Sequence, residues 1–236
     1  MVSLRRLPLL FALCATTTLS HADITADLGL TSEFVRDGIS QTGGNITWQA
    51  GTTATHSSGL YGGIWGSGID HRKNDDLHSE WDGYAGFHLP LYRKWSIDSS
   101  LTRFTFYGDK DRRADAYNQG ALRLLWDNNF TAGYRIGEGY YGSDFNLHTL
   151  ETAYIFQTKT FSIELYMANH RLDNTDDDTN FGDSTSTDDY WHFRVGVART
   201  YNHWDYRLNL ERTNLGKEFD GGTSMQFSLH RYFRIW

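Results

Sequence analysis

Cysteine is nearly absent from this 236-residue chain: its one copy, Cys14, lies in an apolar N-terminal segment. That excludes a small fold stapled by disulfides and any thiolate zinc site. Positive charge is also short, with 22 Lys and Arg against 29 Asp and Glu and a formal net charge of −7, which makes nucleic acid a poor partner. Beyond Ala22 no uncharged apolar run approaches the roughly 18 residues of a spanning helix, so an exported helical membrane protein is excluded as well. No stretch carries a sustained helical period. What the N-terminus does carry is a basic Met1–Arg6, an apolar Leu7–Leu19 and then Ser20-His21-Ala22. This order reads as a secretory signal peptide over 1–22, leaving 23–236 as one domain. Two classes survive: a soluble exported all-β protein and a transmembrane β-barrel.

From Asp23 onward the prevailing period is two, as in Ile24-x-Ala26-x-Leu28-x-Leu30 and Phe161-x-Ile163-x-Leu165-x-Met167. The pattern predicts twelve strands, over 24–35, 45–56, 60–70, 77–89, 95–107, 116–126, 130–137, 145–157, 161–170, 189–200, 204–213 and 224–235. Most reach the ~9–11 tilted residues that cross a bilayer. The connections alternate. Ser57-Ser58-Gly59, Pro90–Lys94, Asp127-Asn128-Asn129, Gln157–Thr160 and Tyr201–His203 are short, whereas the joins between them are mostly longer and rich in Asp, Asn and Gly. Tight turns alternating with long loops, an even strand number and both termini on the short-turn side describe a bacterial outer-membrane barrel, and a soluble sandwich has no reason to sort its loops in this way.

Aromatic residues make up 15% of the chain and give a second test, because rings gather where a barrel wall meets lipid headgroups. Trp95, Trp126, Phe130, Phe156, Phe161, Tyr201, Trp204 and Trp236 sit beside short turns, and Phe106, Tyr107, Tyr117, Tyr140, Tyr141, Phe145, Tyr190 and Trp191 flank the long loops. The expectation is a girdle at each end. The C-terminal Trp236, with Met225, Phe227, Leu229, Phe233 and Ile235 before it, resembles the last strand that barrel-assembly machinery recognises in outer-membrane proteins.

Three stretches are more specific: Leu30–Gln41 (LTSEFVRDGISQ), Gly59–Asp70 (GLYGGIWGSGID) and Glu80–Gly86 (EWDGYAG). In that order they resemble the opening motifs of the proteobacterial TorF family of porins, also called the Gcw_chp family. Where that family usually has Arg directly before Gly-Ile-Ser, this chain has Asp37, with Arg36 one place earlier. The resemblance implies an outer-membrane barrel with channel activity; it supplies neither catalytic residues nor a substrate. Read directly, Asp37-Gly38 and Gly43-Gly44 suit a folded-back loop. Gly62, Gly63, Gly66 and Gly68 around Trp65 leave room for that loop or for bulky neighbours across the wall.

Alternation then assigns the barrel interior. Trp81, Ala85, Phe87 and Leu89 face lipid, which turns Glu80, Asp82, Tyr84 and His88 inward, and the same step selects Arg123, Arg135, Glu164, Arg194, Arg207 and Arg234 as pore-lining candidates. Segments 77–89 and 161–170 supply acids, and the arginines come from the other later strands. Facing acidic and basic walls would orient a zwitterion by a transverse field; the same residues could instead form a salt-bridged plug. Twelve strands about 4.8 Å apart and tilted about 40° give a backbone radius of roughly 12 Å, and an aperture on the order of 10 Å once side chains are placed.

Asp173–Asp189 holds seven aspartates and no base. Asp176, Asp177 and Asp178 make it a weak Ca²⁺ candidate and a bridge through divalent ions to lipopolysaccharide, against the plainer reading of a solvated loop. Neither GxSxG nor HExxH occurs. The sequence thus predicts an all-β, closed antiparallel transmembrane barrel in the bacterial outer membrane, monomeric, without cofactor and not an enzyme, passing small polar or zwitterionic solutes and ions. A barrel enzyme acting on lipids and a non-conducting structural or adhesive barrel are the alternatives.

Overall fold

The computed structural model describes residues 22–70, 77–110, 115–173, 189–215 and 221–236. Twelve strands close into one antiparallel barrel: β1 (Ala22–Thr31), β4 (Thr47–His56), β5 (Leu60–Gly68), β6 (Leu77–Pro90), β7 (Trp95–Gly108), β8 (Tyr117–Trp126), β9 (Phe130–Glu138), β10 (Leu147–Gln157), β11 (Ser162–Leu172), β12 (Asp189–Tyr201), β13 (Trp204–Thr213) and β14 (Thr223–Arg234). Closure comes from β1, which pairs with β4 on one side and with β14 on the other, from Thr25 opposite Arg234 to Thr31 opposite Ser228. The barrel sheet itself keeps no free edge among the described residues, the condition for crossing hydrocarbon with strands.

The tight turns follow from local chemistry. Asp127 and Asn128 both take positive φ (53° and 58°), as do Asn202 and His203 (54° and 68°), the backbone twist that lets a two-residue turn match its strands. Between these turns the outward phase is apolar and open to the surroundings: Leu28, Leu30, Leu101, Leu122, Leu150, Leu210 and Met225 are all more than half exposed. In a water-soluble protein such a wall would be an aggregation surface; against acyl chains it is the expected one.

The first predicted strand ends well short of its expected length. Its pattern suggested continuation to Val35, but β1 stops at Thr31, and the chain turns into the barrel. There it forms a small hairpin of β2 (Val35–Arg36) and β3 (Ile39–Ser40). Asp37 and Gly38 form its tip with φ of 53° and 78°. A side chain at Gly38 would lie 2.2 Å from a Thr213 methyl, so only glycine fits the seat as well as the turn.

The long-loop aromatics correct the expectation of a second girdle. Phe106, Tyr117, Tyr140 and Tyr190 are buried, with Tyr141 and Phe145 packed against them; only Tyr107 and Trp191 are outward and exposed. The reason is phase. Phe104 and Phe106 share the inward register with Glu80 and Asp82, opposite which they pair, and Tyr117 pairs with Phe104. A 3-10 turn, Tyr140–Gly142, brings two more rings over them. The long-loop half of the barrel therefore encloses an apolar core of the kind a soluble domain has.

Candidate functional site

The hairpin crosses the interior and is anchored on several walls. Arg36 forms an ion pair with Glu80 of β6 and hydrogen-bonds Tyr141. Its guanidinium also lies 5.0–5.9 Å from the rings of Phe34, Phe104, Phe106 and Tyr141. Glu80 is fully buried. In such surroundings an unpaired charge is untenable, so each member of the pair requires the other.

One residue later the chain reaches the other way. Arg135 of β9 donates to Asp37 at 2.7 Å, and the Tyr190 hydroxyl of β12 donates to the Asp37 carbonyl at 2.9 Å. Burial alone would push the Asp37 carboxyl up; Arg135, with His170 and Arg36, more than reverses this and holds it below the usual carboxylate range.

Beneath the hairpin lies a cavity of about 440 Å³, bounded above by Phe34, Val35, Arg36 and Asp37 and around its wall by Arg123, Arg135, Glu151, Glu164, Tyr166 and Arg194. A second cavity of about 400 Å³ lies at the long-loop end beside β14 and is lined by Glu33, Gly38, Ser40 and Gly221–Met225. The hairpin supplies residues to both.

The charges around the lower cavity are paired at short range. Arg123 donates to Glu151 at 2.7 Å and Arg135 to the other Glu151 oxygen at 3.0 Å, while Tyr166 donates to that same oxygen at 3.1 Å. Arg194 donates to Glu164 at 2.6 Å and stacks over Tyr166 at 4.6 Å. The expected separation into an acidic and a basic wall is therefore replaced by cross-strand pairs of opposite sign, which shorten the range of any transverse field.

The sequence-selected residues do not all meet here. Arg123, Arg135, Glu164 and Arg194 surround the lower cavity; Glu80 and Asp82 are buried higher on β6, with Glu80 under the hairpin. Arg207 lines the short-turn end, half exposed and 3.4 Å from Asp205. Arg234 stands at the mouth, 75% exposed and paired with Asp23. Asp176, Asp177 and Asp178 fall outside the described residues. Among the described residues no group of three metal-ligating side chains is assembled.

Sequence reasoning missed Tyr141, Tyr166 and Tyr190 as partners of these charges. Alternation also turns Glu211 of β13 and His192 of β12 inward, and there Glu211 is buried, 2.7 Å from His192 Nε2 and accepting from Gln226 at 2.7 Å. Strict alternation was the available signal for Tyr166 and Tyr190; nothing in the sequence marks Tyr141, which reaches Arg36 from a loop.

The sequence model of a bacterial family, described as "Bacterial protein of unknown function (Gcw_chp)", matches residues 15–204. No curated protein matches the chain. Among solved structures, a KdgM porin aligns over 89% of this chain and 99% of its own, with a TM-score of 0.55 and 9% identity. A KdgM porin in complex with disordered oligogalacturonate aligns with a TM-score of 0.54 and 8% identity, over 89% and 99% of the two chains. A NanC porin aligns over 90% and 100%, with a TM-score of 0.57 and 8% identity. At such identities the likeness is one of fold, a closed antiparallel barrel of about this size.

Proposed function

The chain belongs to the Gcw_chp family, and from its closed wall and ionic interior we propose that it is an outer-membrane diffusion channel for small polar or zwitterionic solutes and ions, with the β2–β3 hairpin as its constriction. The TorF porin designation rests on the three N-terminal motifs and belongs to the same proposal. The observation that carries it is the lower cavity: three wall arginines and two wall glutamates, with Arg36 and Asp37 of the hairpin, held around about 440 Å³ of space inside a lipid-facing wall. Charged groups kept there, rather than replaced by apolar packing, support passage of hydrated or charged solutes. Likeness in fold to a barrel holding oligogalacturonate gives independent support for polar cargo. In this reading the short turns face the periplasm and the long loops face outward.

The pairing of opposite charges sets the expected selectivity. A zwitterion offers a carboxylate to Arg123, Arg135 or Arg194 and an ammonium to Glu151 or Glu164, whereas a simple ion satisfies only one partner of each pair. The test is single-channel conductance of the refolded barrel in a planar bilayer under a salt gradient, beside a variant with Arg123, Arg135, Arg194 and Arg207 replaced by Gln. Discrete steps are expected, with a reversal potential displaced toward cation preference in the variant. A folded barrel that stays silent would overturn the channel reading in favour of a non-conducting or lipid-acting barrel.

A further inference from the structure

The outward face of the short-turn rim carries bases that the interior pairing does not use. Arg93 lies in a tight turn with its guanidinium 5.1 Å from the Tyr92 ring, and Lys94 sits 5.8 Å from the Trp126 ring. Arg199 of β12 is 5.6 Å from Tyr201, and Arg231 of β14 is 5.2 Å from Trp204 and 5.5 Å from Phe233. Register places the last two on the lipid side: Arg199 is opposite Tyr206, and Arg231 is opposite Leu28, itself 57% exposed. Lys159, exposed at the tip of the β10–β11 turn, adds a further base.

Acids at this rim are spent elsewhere. Asp127 is held by Lys94 at 2.5 Å, Asp205 accepts from Thr200 at 3.0 Å in the interior, and Asp23 pairs with Arg234. Arg93, Lys159, Arg199 and Arg231 have no acidic partner among the described residues. A chain with formal charge −7 thus presents a positive collar at one end of its wall. The opposite rim is mixed: its outward Arg103, Arg171 and Arg212 share it with Asp109, Asp173 and Asp189.

Position and chemistry converge on one partner. A base laid over an interfacial ring keeps its stem among acyl chains and its charged head at phosphate depth. An arginine without a carboxylate there has its donor fork free for phosphate oxygens. We propose that the short-turn rim is a binding collar for anionic phospholipid headgroups of the leaflet it faces. This rests on the membrane placement in the reading above and not on conduction.

The test is native mass spectrometry of the folded barrel equilibrated with equimolar phosphatidylglycerol and phosphatidylcholine of identical acyl chains. The barrel is expected to retain the anionic lipid about fivefold over the zwitterionic one, an excess in keeping with a few interfacial bases. That excess falls to parity in R93Q/K159Q/R199Q/R231Q and persists in R103Q/R171Q/R212Q. Heat-modifiable migration reports folding, and a set with Lys at the three arginines, which keeps charge, retains the preference if the glutamine set does not fold. Equal retention by the unaltered barrel, or loss of preference in the long-loop set, overturns the collar. A silent bilayer recording alongside preferential retention would sink the channel and leave the collar standing.

Discussion

In the half of the barrel nearest the long loops, the inward phase supplies Phe104, Phe106, Tyr117, Leu147, Leu172 and Tyr190, all 6% exposed or less. In the half nearest the short turns the same phase supplies Gln157, Ser162, Glu164, Arg207 and Asn209, which border open cavities. One alternation along the same strands thus produces a closed aromatic core with buried ionic groups at one end and an open polar lumen at the other. The hairpin sits at the boundary, with Arg36 aimed into the aromatic core and Asp37 toward the arginines. Ion pairs in this barrel therefore differ in exposure, from Arg36–Glu80 at 12% and 0% to Arg194–Glu164 at 29% each, and pairs of different exposure have different energetic consequences.

Removing one partner at each depth separates the two halves most clearly. Glu80→Gln strands Arg36 in the core with its side chain 12% exposed, and is expected to lower unfolding free energy by about 3–5 kcal/mol. Replacing both partners by apolar residues, R36M/E80L, is expected to restore most of that stability, because the penalty belongs to the orphaned charge. Glu164→Gln removes the corresponding partner of Arg194 in the open half, where both side chains are 29% exposed, and is expected to cost about 1 kcal/mol or less. Denaturant titration in detergent, read by tryptophan fluorescence, measures all three. Equal losses at Glu80 and Glu164 would mean that the two halves are not different media.

A smaller effect sharpens how tightly the wall is fitted. Gly63 stands where a Cβ would lie 2.2 Å from the Thr52 carbonyl oxygen and 2.5 Å from the Tyr84 hydroxyl, so its absent side chain is the space Tyr84 occupies inside the barrel. Gly63→Ala is expected to cost about 1–3 kcal/mol by forcing the wall or the tyrosine aside. Gly83 lies on the lipid side of the neighbouring strand, where a methyl group would meet nothing within 4 Å, and its alanine variant is expected to stay within about 0.5 kcal/mol of the parent. The same titration separates them, and a costly Gly83→Ala would mean that something packs against that outer face.

Much of this architecture was legible because a barrel wall obeys a period of two and its turns are short. The strand at 204–213 could be read residue by residue from apolar alternation, the one predicted over 60–70 ends two residues sooner at Gly68, and the turns at Asp127-Asn128 and Asn202-His203 follow from residues that tolerate left-handed backbone. The inward assignment of Glu164 or Arg194 needed only the opposite phase. What alternation does not encode is depth along the barrel axis, nor what descends from the loops. The aromatic set around Phe106 and Tyr117 was therefore misread as a girdle, although phase alone turns it inward. Arg36 illustrates the other gap: its partners Glu80 and Tyr141 are 44 and 105 residues away, and their meeting depends on where an entire loop folds.

The smallest predicted effect lies at the short-turn mouth and tests whether exposure sets the strength of a pair. Asp23 and Arg234 join the two strands that close the barrel, at a position where a break would matter most if ion pairs held the seam. Both side chains are more than half exposed, at 62% and 75%. Water screens such a pair, and closure is carried instead by backbone bonds along β1 and β14, including Ile24 N–H to the Trp236 carbonyl at 3.1 Å. A double-mutant cycle of Asp23→Asn and Arg234→Gln is expected to give a coupling of about 0.5 kcal/mol or less. In 1 M salt, where the screening length is about 3 Å, that coupling should vanish. A coupling that survived high salt at several times this size would place the mouth in the same closed medium as Arg36 and Glu80, and the contrast between the two halves would fail at the end where it should be clearest.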